Sequence, residues 1–404
     1  MKDVLQSGLY DLVKVICQTG GETTLKIIIA PDSFKGSMSA VAVAKSIEKG
    51  VKRVLPRCKT LLLPVGDGGE GTLEVLIKAT GGEIRTCRVK DPTGNIVDAN
   101  YGLLGNRKTC VIEMSTASGL NLTTPGSREI LTSSSYGTGE LILNALNDGL
   151  RDFVITLGGS ATNDGGLGML SALGLKALDC SGNKLMSGGG DLSKIVSIDD
   201  TTFDKRIHEC NFTIASDVQN PFIGHNGATR VFGPQKEANK EEIERLEKGM
   251  KNWADVIEKH TDIKIHQVAG AGAAGGLGGA LYAFFPSEIK SGIDFIIDII
   301  NLDDHLQGAN LVITGEGRVD NQTLFGKTPL GVAMRANEKN VPTIIIAGSV
   351  GEDIESLNEY GVIGVYSIIN EPMTLSQAIN NANKLLENIS YQITYSLFYE
   401  LSKA

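Results

Sequence analysis

The stretch that decides the fold is Lys26–Val54, K-I-I-I-A-P-D-S-F-K-G-S-M-S-A-V-A-V-A-K-S-I-E-K-G-V-K-R-V. It begins with a short apolar run that ends at Pro31, as is typical of a buried strand, and the polar loop Asp32–Ser39 follows. From Ala40 onward apolar residues recur every three or four positions, which predicts a helix with one buried face. A strand, a loop and a helix in this order indicate a parallel sheet built from strand–helix–strand units.

Similar patterns recur along the chain. Leu61–Val65 predicts a second strand, which is followed by a glycine-rich loop and a helix from about Gly71. Three strand-like runs between Arg85 and Met114 are joined by turn sequences, which indicates entry into a second domain. Further strands are predicted at Phe153–Leu157, Phe212–Ala215, Leu311–Thr314 and Thr343–Ala347, and long helices at Glu241–His260 and Thr374–Leu401. We interpret the apolar stripe of the first long helix as packing against its own domain rather than binding a partner.

The composition narrows the class of protein. A length of 404 residues predicts two or three domains, and a net charge of −9 argues against nucleic-acid binding, which needs a clustered basic surface. No apolar run approaches the roughly 20 residues that cross a bilayer, no signal peptide is recognisable, and the 6 cysteines form no C-x-x-C pair. These features predict a soluble cytoplasmic protein without a membrane or nucleic-acid partner. Glycine is the outlier, at 49 residues of 404 against an ordinary share of about 7%.

The glycines cluster in loops after predicted strands, beside Asp, Glu and Lys. The loops are Asp32–Ser37, Asp67–Thr72, Gly158–Gly166, Ala215–Asp217, Gly270–Gly276 and Thr314–Asp320. In an open parallel sheet, ligands bind at the carboxyl ends of the strands, where helix N-termini offer free N–H groups. Two of the loops share the pattern D-G-G-x-G-x-L, at Asp67–Leu73 and Asp164–Leu170. Amides at such a helix start suit phosphate, and the carboxylate suits Mg²⁺ or a hydroxyl proton; the alternative is that the Asp simply caps its helix.

Two stretches resemble familiar nucleotide-binding motifs, but the residues in and around them do not meet the requirements of those motifs. Gly270–Gly275 matches G-x-G-x-x-G, but the preceding Ile263–Val268 is a poor strand, so helix packing is at least as good an explanation. The segment Gly326-Lys327-Thr328 ends like a P-loop, but Asn321 stands where that loop needs glycine. The remaining inventory of Asp, Glu, Lys and Gly fits phosphoryl transfer, in which catalysis is mostly positioning and charge neutralisation.

Long motifs occur in order from Lys26 towards the C-terminus. They include A-P-D-S-F-K-G-S at 30–37, P-V-G-D-G-G-E-G-T at 64–72, G-G-S-A-T-N-D-G-G-L-G-M at 158–169, S-D-V-Q-N-P-F at 216–222 and V-I-T-G-E-G-R-V-D at 312–320. In these motifs the chain resembles the bacterial glycerate kinases of type 1. The resemblance implies an enzyme that transfers the γ-phosphoryl group of ATP to D-glycerate and typically gives 2-phosphoglycerate.

The resemblance also implies an α/β fold of two domains that face each other across a cleft. One domain is discontinuous, with a Rossmann-like three-layer sheet, and is predicted to comprise residues 26–85 and 290–404; the inserted α/β domain comprises 86–289. Residues 1–25 precede the usual start of the family, so we expect a disordered or non-native extension. Our hypothesis is that the native chain starts at Leu25 through an alternative start codon.

The predicted reaction is in-line transfer of phosphate from Mg²⁺-bound ATP to a hydroxyl of D-glycerate. The predicted catalytic residues are Asp217, Asp67 and Asp320, as candidates for accepting the hydroxyl proton, and Lys35. The predicted substrate-binding residues are Asp32, Ser33, Lys35, Arg318 and Asn163. The predicted ATP- and phosphate-binding residues are Gly68, Gly69, Gly159, Ser160, Gly165, Lys236, Gly272, Gly275 and Lys327, and the predicted Mg²⁺ ligands are Asp164 and Glu316.

Two other functions stay open at this point. A dehydrogenase of a small hydroxy acid would bind NAD at the Gly270–Gly275 loop. A non-catalytic sugar-acid-binding protein would bind the ligand without turnover. The oligomeric state also stays open, with a homodimer as the candidate.

Overall fold

The protein is described by a computed structural model that covers residues 25–126, 128–185, 188–320, 323 and 328–399. Within these residues the strands are β1 (Lys26–Ile29), β2 (Lys59–Leu62), β3 (Glu83–Lys90), β4 (Ile96–Leu103), β5 (Thr109–Glu113), β6 (Asp152–Thr156), β7 (Lys176–Leu178), β8 (Lys184–Leu185), β9 (Ser197–Asp199), β10 (Asn211–Ala215), β11 (Ser287–Lys290), β12 (Leu311–Val319), β13 (Thr343–Val350) and β14 (Val362–Ser367).

The α-helices within the same residues are α1 (Ala40–Val54), α2 (Thr72–Thr80), α3 (Ser115–Ser118), α4 (Tyr136–Asn147), α5 (Leu167–Ala172), α6 (Ala228–Phe232), α7 (Lys240–Thr261), α8 (Leu277–Phe284), α9 (Gly292–Ile299), α10 (Leu302–Leu306), α11 (Thr328–Glu338) and α12 (Leu375–Leu397). The elements confirm the predicted α/β class. The extension before Leu25 and the predicted phosphate ligand Lys327 lie outside the described residues.

The chain divides into two compact units. The first unit is Met1–Asp67 with Ile293–Ala404, and the second unit is Gly68–Gly292. The boundaries expected from the sequence, after residues 85 and 289, stay predictions. In the structure α2 already belongs to the second unit, because its residues Leu73 and Ile77 lie against Gly102 of β4.

The first unit is built on a parallel sheet with the strand order β14-β13-β12-β1-β2. After β1 the chain adds β2 on one side of the sheet, and after β12 it adds β13 and β14 on the other side. In such a doubly wound sheet the crevice at this switch point is where ligands bind, just beyond the carboxyl ends of the strands. Asp32 follows β1 at this place, and its backbone N–H donates to the carbonyl of Gly315 on β12 at 2.8 Å.

Helices cover both faces of this sheet. On β13, Ile344 and Ile346 pack into a core with α1 and α12, whereas Ile345 and Ala347 pack into a second core with α11. The alternation follows from the two-residue period of a strand, and the continuous apolar run is what a strand buried on both faces needs. The first unit therefore has three layers.

The second unit has a sheet in the order β11-β10-β6-β5-β4-β3. The neighbours from β11 to β5 pair in parallel, whereas β4 and β3 add antiparallel strands at the edge, and β8, β7 and β9 form a small antiparallel sheet. Trp253 of α7 is fully buried in the core of this unit, which confirms that the apolar stripe of that helix packs against its own domain. No helix of the described chain is long and apolar enough to cross a membrane.

Candidate active site

A buried carboxylate lies at the switch point of the first unit. Asp32 is only 4% exposed; its Oδ1 accepts a hydrogen bond from the N–H of Ser33 at 2.5 Å, and its Oδ2 accepts one from Thr328 Oγ1, at the start of α11, at 3.1 Å. Burial, followed by the negative charge of Asp67, raises the pKa of Asp32 to about 7. A carboxyl group with such a pKa exchanges its proton near neutral pH.

A lysine close to this carboxylate forms an ion pair with a second carboxylate. The Nζ of Lys35 donates to Oδ2 of Asp67 at 2.6 Å, and the lysine side chain is 62% exposed, so it is accessible to a ligand. Burial acts to lower the pKa of Lys35, but the charges of Asp67, Asp32 and Glu316 outweigh it and raise the pKa above its usual value. Lys35 is therefore a stable cation amid three acids.

The end of β12 supplies a second ion pair in the first unit. Arg318 Nε donates to Asp320 Oδ2 at 2.8 Å, and the arginine side chain is 70% exposed. Glu316 accepts a hydrogen bond from Thr323 Oγ1 at 2.9 Å. Gly317 lies against the backbone of Phe34 and Lys35, where a Cβ would be 3.6 Å from the nearest atoms. The strand end and the loop after β1 are thus neighbours, although they are distant in the sequence.

Three glycine-rich loops pack backbone to backbone in the second unit. They are residues 68–71, 158–166 and 270–276, which we call the glycine platform. A Cβ on Gly158 would lie 2.4 Å from Gly69 Cα, and one on Gly275 would lie 2.0 Å from the carbonyl oxygen of Thr162. These distances admit no side chain, so the excess of glycine serves close approach of the backbone. Among the predicted phosphate-binding glycines of the platform, Gly159 is exposed, whereas Gly68, Gly69, Gly165, Gly272 and Gly275 are buried.

A fully buried lysine supports the platform from within. Lys236 is 1% exposed, and its Nζ donates to Ser160 Oγ at 2.9 Å and to the carbonyl of Thr162 at 2.6 Å. Burial lowers the pKa of Lys236 to about 7, and the charge of Asp164 opposes the shift. The predicted substrate residue Asn163 is also buried, and its Nδ2 donates to Thr229 Oγ1 at 3.0 Å. Both side chains are buried and hydrogen-bonded within the protein.

Two of the predicted acids cap helices. Both oxygens of Asp164, which is fully buried, accept hydrogen bonds from protein donors: Ser135 N at 2.8 Å, Ser135 Oγ at 2.8 Å, Gly166 N at 3.1 Å and Gly168 N at 3.1 Å. Asp217 Oδ1 accepts from Ser291 Oγ at 2.9 Å and from Gly292 N, at the start of α9, at 2.8 Å. The capping alternative therefore describes the contacts of these two carboxylates.

One buried acid, Glu113, is not among the residues predicted from the sequence. Glu113, the last residue of β5, is 4% exposed and accepts hydrogen bonds from Gly71 N, Leu73 N and Ser115 Oγ. Its place at the carboxyl end of a parallel strand was the available signal, but no glycine loop follows it directly in the sequence.

The donor set argues against a metal cage made of protein side chains alone. In the part of the chain that the structure describes, no group of three or more His, Cys, Asp or Glu side chains could hold a metal ion. Asp164 is saturated with hydrogen bonds, so it does not fit a Mg²⁺ ligand. Glu316 is half-buried among charged neighbours and fits the single carboxylate that Mg²⁺ commonly takes when phosphates and water supply its other ligands.

The predicted residues thus fall into two sets. Those in the first unit are Asp32, Ser33, Lys35, Asp67, Glu316, Arg318 and Asp320. Those in the second unit are Gly68, Gly69, Gly159, Ser160, Asn163, Asp164, Gly165, Asp217, Lys236, Gly272 and Gly275. Carboxylates and exposed cations gather in the first unit, whereas the second unit offers closely packed backbone.

The Gly270–Gly275 loop lacks the context of a dinucleotide fingerprint. No described strand precedes it directly, and it passes through a short 3₁₀ helix, Ala273–Gly276, before α8 begins. Its Gly275 carbonyl accepts from Gly165 N at 3.0 Å, so the loop serves the platform.

Comparison with known proteins shows which family the chain is similar to. Residues 27–397 match the model of the glycerate kinase family. The chain is 46% identical over 358 residues to glycerate 2-kinase of Escherichia coli K12, which covers 89% of this chain and 94% of that protein. It is 44% identical over 373 residues to glycerate kinase of Bacillus subtilis 168, which covers 92% and 98% respectively.

A solved structure shows the same fold. A crystal structure from Salmonella typhimurium LT2, assigned as glycerate kinase 2, superposes with a TM-score of 0.82 at 43% identity, and the match covers 94% of this chain and 100% of that one. The family model, the relatives and the fold agree over nearly the whole chain. The chain therefore belongs to the glycerate kinase family and is a phosphotransferase with an alcohol group as acceptor.

Proposed function

We propose that the protein phosphorylates D-glycerate with ATP and releases 2-phospho-D-glycerate and ADP. The observation that carries this proposal is the Lys35–Asp67 pair beside the buried Asp32 at the switch point of the first sheet. A small hydroxy acid needs a cation for its carboxylate and a base for its hydroxyl, and this cluster offers both. E. coli glycerate 2-kinase, a relative at 46% identity, supports the choice of the 2-hydroxyl.

The first unit would bind the acceptor. The exposed cations Lys35 and Arg318 are suited to the glycerate carboxylate, with Asp320 orienting Arg318 through their ion pair. Ser33 is available to a substrate hydroxyl. We assign the role of base to Asp67, because Lys35 keeps this carboxylate in place next to a group that binds anions.

The second unit would bind the nucleotide. The exposed backbone at Gly159 suits the phosphate oxygens of ATP, and Ser160 beside it can contribute its hydroxyl. The buried glycines Gly69 and Gly275 keep the loops close together, and Lys236 holds Ser160 and the carbonyl of Thr162 in place. Asp217 and Asp164 maintain helix starts in this assignment, and Asn163 has a structural role.

The chemical step is an in-line attack of the 2-hydroxyl oxygen on the γ-phosphorus of ATP. The 2-hydroxyl oxygen forms a bond to the γ-phosphorus of ATP while its proton passes to the carboxylate of Asp67. The bond between the γ-phosphorus and the bridging oxygen breaks, and its electron pair stays on ADP. Glu316 is the carboxylate of this chain that would hold Mg²⁺, which would supply charge neutralisation for the transferred phosphate. Such an ATP-dependent reaction is expected in the cytoplasm, and a homodimer stays a prediction.

The first prediction is the reaction itself. Purified protein with Mg²⁺, ATP and D-glycerate should form ADP in a coupled assay, and phosphorus NMR should show 2-phosphoglycerate as the product. Chelation of Mg²⁺ should abolish turnover, and L-glycerate serves as the matched control. Exclusive formation of 3-phosphoglycerate would overturn the assignment of the hydroxyl, and absence of ADP would overturn the function.

The second prediction concerns where ATP binds. Trp253 is the single tryptophan of the chain, and its Nε1 donates to the carbonyl of Gly165 in the platform at 3.0 Å. Binding of ATP to the platform should therefore change the tryptophan fluorescence, whereas D-glycerate alone should leave it within error. A saturable response to glycerate with none to ATP would contradict the assignment of the nucleotide to the second unit.

The third prediction separates the two candidate bases. Asp67→Asn should lower kcat by about 10²- to 10⁴-fold, the range that a positioned general base contributes. Asp217→Asn should lower kcat by less than about tenfold and mainly lower the melting temperature, because this carboxylate caps α9. The reverse ranking of the two variants would transfer the base to Asp217.

The fourth prediction is a pH dependence of stability. Because the pKa of Asp32 is raised to about 7, the folded state binds this proton more tightly than the unfolded state does. This contribution to stability is complete below the ordinary carboxyl pKa and is lost as the pH rises through about 7. Between pH 5 and pH 8 the unchanged protein should therefore lose about 2 kcal/mol of unfolding free energy that the Asp32→Asn variant does not lose. Urea unfolding at several pH values measures it; parallel pH profiles would contradict the assigned environment.

A further inference from the structure

The fully buried Lys236 of the second unit donates its hydrogen bonds to uncharged oxygens. Its Nζ contacts Ser160 Oγ at 2.9 Å and the carbonyl oxygen of Thr162 at 2.6 Å. Asp164 is the acid whose charge acts on Lys236, but its two oxygens accept from Ser135 and from the start of its own helix. What this lysine contributes is therefore the direction of two hydrogen bonds rather than an ion pair.

The bond to Ser160 leaves the hydrogen of the serine hydroxyl unused. An ammonium group has three N–H donors and no acceptor, so Ser160 Oγ accepts from Lys236. In the part of the chain that the structure describes, no acceptor lies within hydrogen-bond distance of the Ser160 hydroxyl. Thr162 Oγ1 and Asn163 Oδ1, which are buried in the same loop and have no partner among the described residues, do not accept from it either. A ligand with acceptor oxygens would complete this hydroxyl.

The backbone beside this hydroxyl is fixed and offers further donors. Leu120 N donates to the carbonyl of Gly159 at 2.9 Å, and Ala161 N donates to the carbonyl of Ser118 at 2.9 Å. The N–H groups of Gly159 and Ser160 find no acceptor within the described residues. Gly159 is exposed, and Ser160 retains 6% exposure. Two amides and one hydroxyl at adjacent positions suit the oxygens of a phosphate group.

The position of Lys236 behind these donors suggests how it serves them. We infer that Lys236 is a positioning residue that keeps the Ser160 hydroxyl turned as a donor towards the phosphates of ATP. The inference rests on the proposed binding of ATP to the glycine platform. Lys236 acts through Ser160 and does not itself touch the nucleotide.

The protonation state of Lys236 sets the direction of the bond to Ser160. Burial lowers the pKa of Lys236 to about 7, and the charge of Asp164 opposes the shift. Below this pH the ammonium can only donate, so the hydroxyl hydrogen is left for a phosphate oxygen. Above this pH the neutral amine has a lone pair that can accept the hydroxyl hydrogen instead. The contribution of Ser160 to ATP binding is therefore present at low pH and is lost as the pH rises through about 7.

A double-mutant cycle on ATP affinity tests this role. Calorimetric titration with Mg²⁺-bound ATP, without glycerate and at about pH 6, measures Kd directly. Ser160→Ala should raise Kd by about 10- to 100-fold, which is the contribution of a hydrogen bond to a charged group. Lys236→Met keeps the unbranched apolar stem and should raise Kd by about 5- to 20-fold, because the hydroxyl can then rotate away from the phosphate. In the Ser160→Ala background Lys236→Met should change Kd by less than about threefold.

The pH dependence of ATP affinity provides a readout that loss of packing would not move. The unchanged protein should bind ATP at least about tenfold more tightly than Ser160→Ala at about pH 6, and less than about threefold more tightly at about pH 8.5. The titration of ATP itself is common to both proteins and cancels in this ratio. In the Lys236→Met background the same ratio should not depend on pH. If Lys236→Met fails to fold, the comparison of the unchanged protein with Ser160→Ala still decides the question.

A control variant separates this role from a loss of positive charge. Lys194 also lies in the second unit, but its side chain is 60% exposed and pairs with Asp191 at 2.7 Å. Lys194→Met removes one positive charge and should leave the Kd for ATP within about twofold, because charges in water are screened. For Lys236→Met the KM for D-glycerate should also stay within about twofold, since the predicted acceptor site belongs to the first unit.

The outcomes separate the positioning role from the function on which it rests. Equal losses from Lys236→Met in both Ser160 backgrounds, no loss at all, or a Ser160 contribution that is independent of pH would each overturn the positioning role and leave ATP on the platform. An unchanged Kd in Ser160→Ala would overturn the contact of Ser160 with phosphate, and the positioning role would fall with it. Absence of ATP binding to the unchanged protein would overturn the proposed function.

Discussion

The pairing of β1 with β12 is the interaction on which the protein depends. Ile27, Ile28 and Ile29 lie in parallel register with Leu311, Val312 and Ile313, although most of the chain lies between the two strands. Closing so long a loop has an entropic cost that grows only slowly with its length, and the burial of these apolar side chains offsets it. The pairing makes the first unit discontinuous and creates the switch point. Asp32, Lys35 and Glu316 owe their proximity to it.

Each of the two units contains groups that lower the stability of the fold and that are suited to a functional site. Burial disfavours the charged forms of Asp32 and Lys236, and this shifts the pKa of each group to about 7. Such groups concentrate at functional sites, where a group that exchanges a proton near neutral pH is useful. The glycine platform has a comparable cost, since each glycine loses more backbone freedom on folding than another residue would. The protein retains both, which is consistent with selection for phosphoryl transfer rather than for maximal stability.

Local patterns predicted where the helices and strands lie, and the roles expected for individual side chains stay predictions. The apolar spacing of α1 and α7 located both helices to within one residue, because a helix period is a local property. The strand after α1 is Lys59–Leu62, so it starts two residues before the expected Leu61. An apolar run does not show at which residue a strand begins to pair with its neighbour. The ligand roles expected for Asp164, Asp217 and Asn163 stay predictions, and the structure adds that each side chain also hydrogen-bonds within the protein. Glu113 ends a strand but is not followed directly by the kind of glycine loop that marked the other candidates.

The sequence by itself determined the α/β class, the family, and the set of glycines and acids from which the site is made. These follow from periodicity, from turn residues and from long motifs, all of which depend on neighbours in the chain. Only the tertiary structure decided which acid caps a helix and which stays near a cation. Asp67 and Asp164 begin the same motif, but Asp67 accepts from Lys35, whereas Asp164 accepts from Ser135 and from the start of its own helix. Hydrogen bonds are short and directional, so the role of a carboxylate is set by donors that the fold brings to it from elsewhere in the chain.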